Sequence, residues 1–280
     1  MKPARNLAMF LWVVAAVIFA VGLLAATDDT GADASLSAAI CPVVYRLDES
    51  PSSRGYRYTF FGNAFFINDQ GYLLTVAHVL DSLRNGGQPS ILVPRPNSPP
   101  QLLALSVIVA DTEHDVAILR ATPNPFSGHY RVAFLSLASD PVVPGQSVLA
   151  LSLHPARLQN AQSFQMPVEE RSPGEVLSYQ STQLDKTAPA AEVFLLSHPV
   201  TRGQSGSPVL ALDSHAVVGL VEGRWLRPSA ISLARSAGPR TDTPGAAIPI
   251  RYAIALLDEK KISWQSAAHT RRNSEPAAKP

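Results

Sequence analysis

Three side chains of this 280-residue chain have the types that acyl transfer needs: Ser205, His78 and Asp115. Ser205 lies in Gly203-Gln204-Ser205-Gly206-Ser207-Pro208, between the apolar runs Val193 to Leu196 and Pro208 to Leu212. Flanking glycines let the backbone turn tightly and take positive φ, so several N–H groups can aim at one point beside a hydroxyl. A nucleophile next to such donors suits attack on a carbonyl, whose oxygen gathers negative charge as it is attacked. Taken alone, the hexapeptide also fits an ordinary turn between strands. His78 follows the run Tyr72 to Ala77, and Asp115 precedes Val116 to Leu119. An imidazole that strips the hydroxyl proton, oriented by a carboxylate, is the general recipe for an activated serine. The other histidines (His114, His129, His154, His198, His215 and His269) lack metal-ligand spacing.

Short apolar runs bounded by turn residues must position these groups. Tyr56 to Ile67, Tyr72 to Thr75, Ile91 to Val93, Leu102 to Ala110 and Val116 to Leu119 read as strands in the first half. A short helical turn follows His78, and the proline-rich stretch Pro94 to Pro100 separates two of the strands. Val132 to Leu135, Ser147 to Leu153, Val176 to Tyr179, Val193 to Ser197, Val209 to Leu212 and Ala216 to Val221 continue the style. Thr122 to Gly128, with two prolines, reads as the connection between halves. About a dozen short strands without long intervening helices predict an all-β barrel or sandwich architecture. Only Ile250, Ala253, Ile254 and Leu257 fall at helical spacing, predicting a terminal amphipathic helix over Ile250 to Lys261.

Composition sets the frame. With 46% hydrophobic and 16% charged residues the chain can build a substantial core, and a formal net charge of +1 gives no reason to propose nucleic acid as a partner. Cys41 is the only cysteine, so no intrachain disulfide is possible. Lys2 and Arg5 precede an unbroken apolar run from Leu7 to Ala26. As a helix it would span about 30 Å, enough to cross a bilayer. The basic residues before it would keep the N-terminus cytoplasmic and send the rest across. An uncleaved signal anchor, a cleaved signal peptide and a buried core helix all remain open for residues 1–26. Residues 27–40 read as a tether, and 266–280, polar and rich in Pro and Ala, as a disordered tail.

Five segments in order carry a family resemblance. They are Gly62 to Ile67 with Gly71 to Val79, Asp111 to Leu119, Gly203 to Pro208, Val218 to Val221, and Ala247 to Ile250. Together they resemble the chymotrypsin-fold (trypsin-like) serine proteases, nearest the bacterial branch that includes HtrA (Deg) catalytic domains and glutamyl endopeptidases. The resemblance implies two six-stranded antiparallel β-barrels with a C-terminal helix, the first over 41–128 with His78 and Asp115, the second over 129–265 with Ser205. It also implies a serine endopeptidase in which Ser205 is the nucleophile, His78 the general base and then acid, and Asp115 the group holding the imidazole. The N–H groups of Gly203 and Ser205 would form the oxyanion hole, and Val200, Thr201, Val221, Glu222 and Gly223 would line the substrate pocket. Such chemistry implies polypeptide substrates and needs no metal or organic cofactor. The bacterial resemblance places the domain in the periplasm, anchored in the inner membrane or exported.

The chain also departs from that pattern. Gln204 stands where zymogen-type members carry an aspartate, so activation by insertion of a freed N-terminus is not expected. Glutamyl endopeptidases carry a pocket histidine where this chain has Val221, which leans instead towards aliphatic side chains before the scissile bond. Residues after 262 leave no room for the PDZ domain typical of HtrA proteins. Two rivals stay open: a catalytically silent protease-fold module that binds peptides, and an acyl-ester hydrolase using the same site.

Overall fold

A computed structural model describes residues 36–47, 57–85, 88–95, 98–128, 130–154, 167–184, 189–225 and 243–267. The apolar run from Leu7 to Ala26 lies outside the described residues, as do most of the 27–40 stretch and everything after 267. Among the described residues no helix is long and apolar enough to cross a membrane.

Six antiparallel strands close the first barrel: β1 (Ile40–Leu47), β2 (Arg57–Phe66), β3 (Tyr72–Thr75), β4 (Gln88–Arg95), β5 (Ser98–Asp111) and β6 (Val116–Thr122), in the spatial order β1-β2-β3-β6-β5-β4. Closure leaves no free strand edge, because β1 pairs with both β2 and β4. Phe65, Ile67, Leu73, Leu74, Ile91, Leu92, Leu103 and Ile118 of this half are all fully buried. Strand pairing rather than hydropathy extends several of these elements. Of the stretch Pro94 to Pro100, Pro94 and Arg95 belong to β4 and Ser98 to Pro100 to β5, with Arg95 still paired to Ser98. β1 begins at Ile40, inside the stretch read as tether, and buries Ile40, Cys41, Val43 and Val44.

The second barrel uses β8 (Ser147–His154), β9 (Val168–Thr182), β10 (Ala191–Leu196), β11 (Pro208–Ala211), β12 (Val217–Arg224) and β13 (Gly245–Pro249). Its order is β11-β8-β9-β10-β13-β12, closed by the β11–β12 pair. Two short strands, β7 (Leu137–Ala138) and β14 (Ser266–Ala267), add a parallel ladder beside β12. Val132 to Leu135 is therefore not a strand. Its N–H groups bond singly to scattered carbonyls, Ala133 to Ala38 and Leu135 to Phe66, with no continuous ladder. Ser266 and Ala267, expected in a disordered tail, are held by Leu137 and Ala138.

Helix α1 (Ile250–Glu259) follows β13 directly and buries Ile250, Ala253, Leu256 and Leu257 against β6 of one barrel and β12 of the other. It stops two residues short of the sequence expectation because Lys261 turns left-handed at φ 56°. The Ile262 N–H then bonds the Leu257 carbonyl and the Lys261 N–H the Asp258 carbonyl, a Schellman closure with Ile262 buried beneath it.

Candidate active site

The glycine turn is built to present a hydroxyl and two N–H groups. The Gln204 N–H donates to the Thr201 carbonyl at 3.3 Å, and Gly203, third residue of that turn, takes φ +98°. A turn with positive φ at its third position calls for glycine. A Cβ there would also strike the Phe60 ring at 2.5 Å. Gln204 is 2% exposed; its Oε1 accepts from the Thr201 N–H at 2.7 Å and its Nε2 faces the Ser152 and Ser172 hydroxyls at 3.4 and 3.5 Å. A neutral amide thus braces the turn from inside, so no buried carboxylate calls for an ammonium partner. After Ser205, Gly206 (φ +79°) donates to the Val221 carbonyl, and Val221 donates back to Ser207.

Asn63 on β2 ties this turn to the first barrel. Its backbone N–H donates to the Ser205 carbonyl at 2.8 Å and its Nδ2 to the Gly203 carbonyl at 3.0 Å. Its Oδ1 accepts from the Leu153 N–H at 3.0 Å, and its own carbonyl accepts from the Thr75 hydroxyl at 2.7 Å. Gly62 and Gly206 allow this close approach, since a Cβ on either would overlap backbone across the barrel interface. The sequence signal for Asn63 was a lone polar residue at the head of the apolar run Ala64 to Ile67; what it does was not legible there.

His78 and Asp115 meet at the first barrel's rim. Asp115 ends the β5–β6 turn at φ +54°, a conformation few non-glycine residues adopt. Its carbonyl accepts from the Ala77 N–H, its Oδ1 from the His78 N–H at 2.7 Å, and its Oδ2 lies 2.7 Å from His78 Nδ1. A carboxylate acceptor assigns the proton to Nδ1 and leaves Nε2 as a base. The Asp115 side chain is 10% exposed and that of His78 40%. Burial would lower the His78 pKa, but the hydrogen bond and charge of Asp115, then the charges of Glu222 and Asp81, outweigh it and raise it. Burial also raises the Glu222 carboxyl, with His78 opposing and Asp115 adding to the rise.

Ser205 Oγ donates to the Glu222 carbonyl at 3.2 Å, and among the described residues no hydrogen bond joins it to His78. Neither the Gly203 nor the Ser205 N–H has an acceptor among the described residues. Of the residues expected in the pocket, Val200 and Val221 are buried, Glu222 and Gly223 half-buried, and Thr201 exposed. A Cβ on Gly223 would meet nothing within 4 Å. His198 lies behind the pocket loop with both ring nitrogens buried and unpartnered among the described residues, and burial lowers its pKa. Sequence reasoning missed the support beneath Asp115. His114 Nδ1 lies 2.7 Å from Asp111 Oδ2, and its ring stacks on Tyr252 of α1 at 4.1 Å.

Comparison with known proteins agrees with this architecture. The trypsin-like peptidase domain family matches residues 62–220, more than half of the chain. No curated protein sequence matches. Among solved structures, the active form of the Rv3671c protease from M. tuberculosis superposes with a TM-score of 0.55 at 18% identity, covering 85% of this chain and 87% of its own. The MamO protease domain from Magnetospirillum magneticum, in its apo form, gives 0.55 at 16%, covering 80% and 97%. The HtrA-type protease AlgW with a decapeptide gives 0.57 at 16%, covering 83% and 67%. At these identities the structures speak for the fold.

Proposed function

This chain belongs to the trypsin-like peptidase domain family, and we propose that it is a serine endopeptidase working through Ser205, His78 and Asp115. The observation that carries the reading is the double 2.7 Å grip of Asp115 on His78, which leaves Nε2 free as a base at the barrel rim. When a peptide carbonyl arrives, the Ser205 hydroxyl turns from the Glu222 carbonyl, gives its proton to Nε2 and bonds to the carbonyl carbon. The oxygen of that carbonyl takes the electron pair and is held by the Gly203 and Ser205 N–H groups, each worth on the order of 3 kcal/mol. His78 then passes the proton to the departing amine as the C–N bond breaks, and water repeats the sequence on the acyl-enzyme. Digestion of casein by the full chain, lost in Ser205→Ala, is the expected result. Cleavage of small esters with casein untouched would point to an ester hydrolase.

The bond from Ser205 Oγ to the Glu222 carbonyl favours a second reading, a protease-fold module that binds peptides without cutting them. It predicts peptide binding unaltered by Ser205→Ala and no turnover. The export reading of residues 1–26 belongs to the same proposal: fractionation of a bacterial host should find the domain on the periplasmic side, anchored or free.

A further inference from the structure

If Ser205 is acylated as proposed, the position of the P1 side chain, the one preceding the scissile bond, follows from the geometry. The acyl carbon sits on Ser205 Oγ, with its oxygen towards the Gly203 and Ser205 N–H groups. The P1 side chain then enters the gap between the Val200–Gly203 segment and the end of β12, whose Glu222 carbonyl lies 3.2 Å from Ser205 Oγ. Gly245 of β13 closes the back of that gap: it pairs with Arg224 on one side and Leu196 on the other. A Cβ there would meet Val200 Cγ2 at 2.5 Å. The walls are thus short and apolar, formed by Val200, Val221 and Gly245.

One charge lies across this gap. Arg224, two residues beyond Glu222 on β12, donates from Nε to the Val200 carbonyl at 3.0 Å, so its guanidinium bridges the two walls. A guanidinium has five N–H donors in a fixed fork. One is used here, and the other four have no acceptor among the described residues. Glu222 interacts with His78 and Asp115, and no carboxylate pairs with Arg224 among the described residues. An apolar gap with an exposed planar cation beside it, unpaired among the described residues, complements a side chain with a short apolar stem and a terminal carboxylate.

We propose that Arg224 is a specificity-determining residue and that the pocket selects an acidic residue, glutamate or aspartate, at P1. This differs from the aliphatic lean read from Val221 alone, and it needs no histidine at that position because the cation comes from three residues further along. It rests on the serine endopeptidase reading of the same site.

The test uses the full chain and three tetrapeptide p-nitroanilides identical except for Glu, Gln or Val at P1. Glu and Gln differ in charge at nearly constant shape, so their ratio isolates the cation. The expected kcat/KM for Glu exceeds that for Gln by about 10- to 100-fold, the worth of one charge-assisted hydrogen-bonded pair. In Arg224→Gln that ratio should fall to near unity, and in Arg224→Glu it should invert, with Gln cut better than Glu. A wild-type Glu/Gln ratio near one, or preference for Val, overturns the proposal even if the variants fail to fold. An equal gain on all three peptides in Arg224→Gln also overturns it, showing a guanidinium that merely obstructs the pocket. If no peptide is cut and a fluorophosphonate leaves Ser205 unlabelled, the endopeptidase reading falls and this proposal with it. Cleavage of the Gln or Val peptide with Glu no better removes the proposal alone.

Discussion

Replacing Asp115 by Asn isolates the contribution of one oxygen. Asp115 accepts two bonds at 2.7 Å, one from the His78 backbone N–H and one at Nδ1. An amide can keep the first only with its oxygen in the Oδ1 position, because the reverse orientation sets an NH₂ against a backbone N–H. That orientation puts the NH₂ against Nδ1, which must become the acceptor and move its proton to Nε2. The base is then in the wrong tautomer to take a proton from Ser205. The shape of the site changes little, so the loss falls on kcat, by about 10⁴-fold or roughly 5 kcal/mol. The variant also removes the main influences that raise the His78 pKa, while burial still lowers it. The acid limb of the rate profile should therefore move to lower pH. For stability the sign is opposite in pH. A raised histidine pKa stabilises the fold below its ordinary value of 6.5, and that contribution is lost as pH rises through the folded value. Asp115→Asn should thus destabilise the fold more in acid than in alkali. Stopped peptide assays across pH, with thermal unfolding in parallel, measure both. A kcat within tenfold of wild type in folded protein, or an unmoved acid limb, would refute the reasoning.

Three further outcomes follow from the same geometry. Asn63→Ala leaves the buried Gly203 carbonyl and Leu153 N–H unpaired, a loss of about 2–5 kcal/mol in denaturant unfolding. Gly206→Ala forces a Cβ into the Asn63 carbonyl and Thr75 Oγ1 at φ +79°. The expected loss is about 3 kcal/mol or more, seen as a fall in Tm of about 6–12 °C. Glu222→Gln removes a lesser influence raising the His78 pKa, so the acid limb of kcat/KM should move to lower pH by less than in Asp115→Asn.

The sequence made the barrels readable wherever a strand buries an apolar run, as β3, β6, β10 and β12 do. It was silent where pairing alone holds the strand. β9 runs from Val168 to Thr182, yet only Val176 is buried along it, and its first half, rich in Glu, Arg and Ser, is fixed by register with β8. Val132 to Leu135 shows the converse, an apolar run that buries only Leu135 and joins no ladder. In the site, residue types and chain order pointed to Ser205, His78 and Asp115. The inter-barrel bonds of Asn63 and the stack of His114 on Tyr252 depend on which distant segments meet, and one sequence does not display that. Arg224 is one of four arginines in the 223–246 stretch of the sequence, and its bond to the Val200 carbonyl distinguishes it.

The central claim is that Ser205 is an activated nucleophile, and covalent labelling addresses it most directly. Full-length protein treated with a fluorophosphonate at neutral pH, digested and mapped by mass spectrometry, should carry the adduct on the peptide containing Ser205. Labelling should vanish in Ser205→Ala and slow sharply in His78→Ala. Folded wild-type protein that stays unlabelled, or an adduct that persists in Ser205→Ala, would contradict the account.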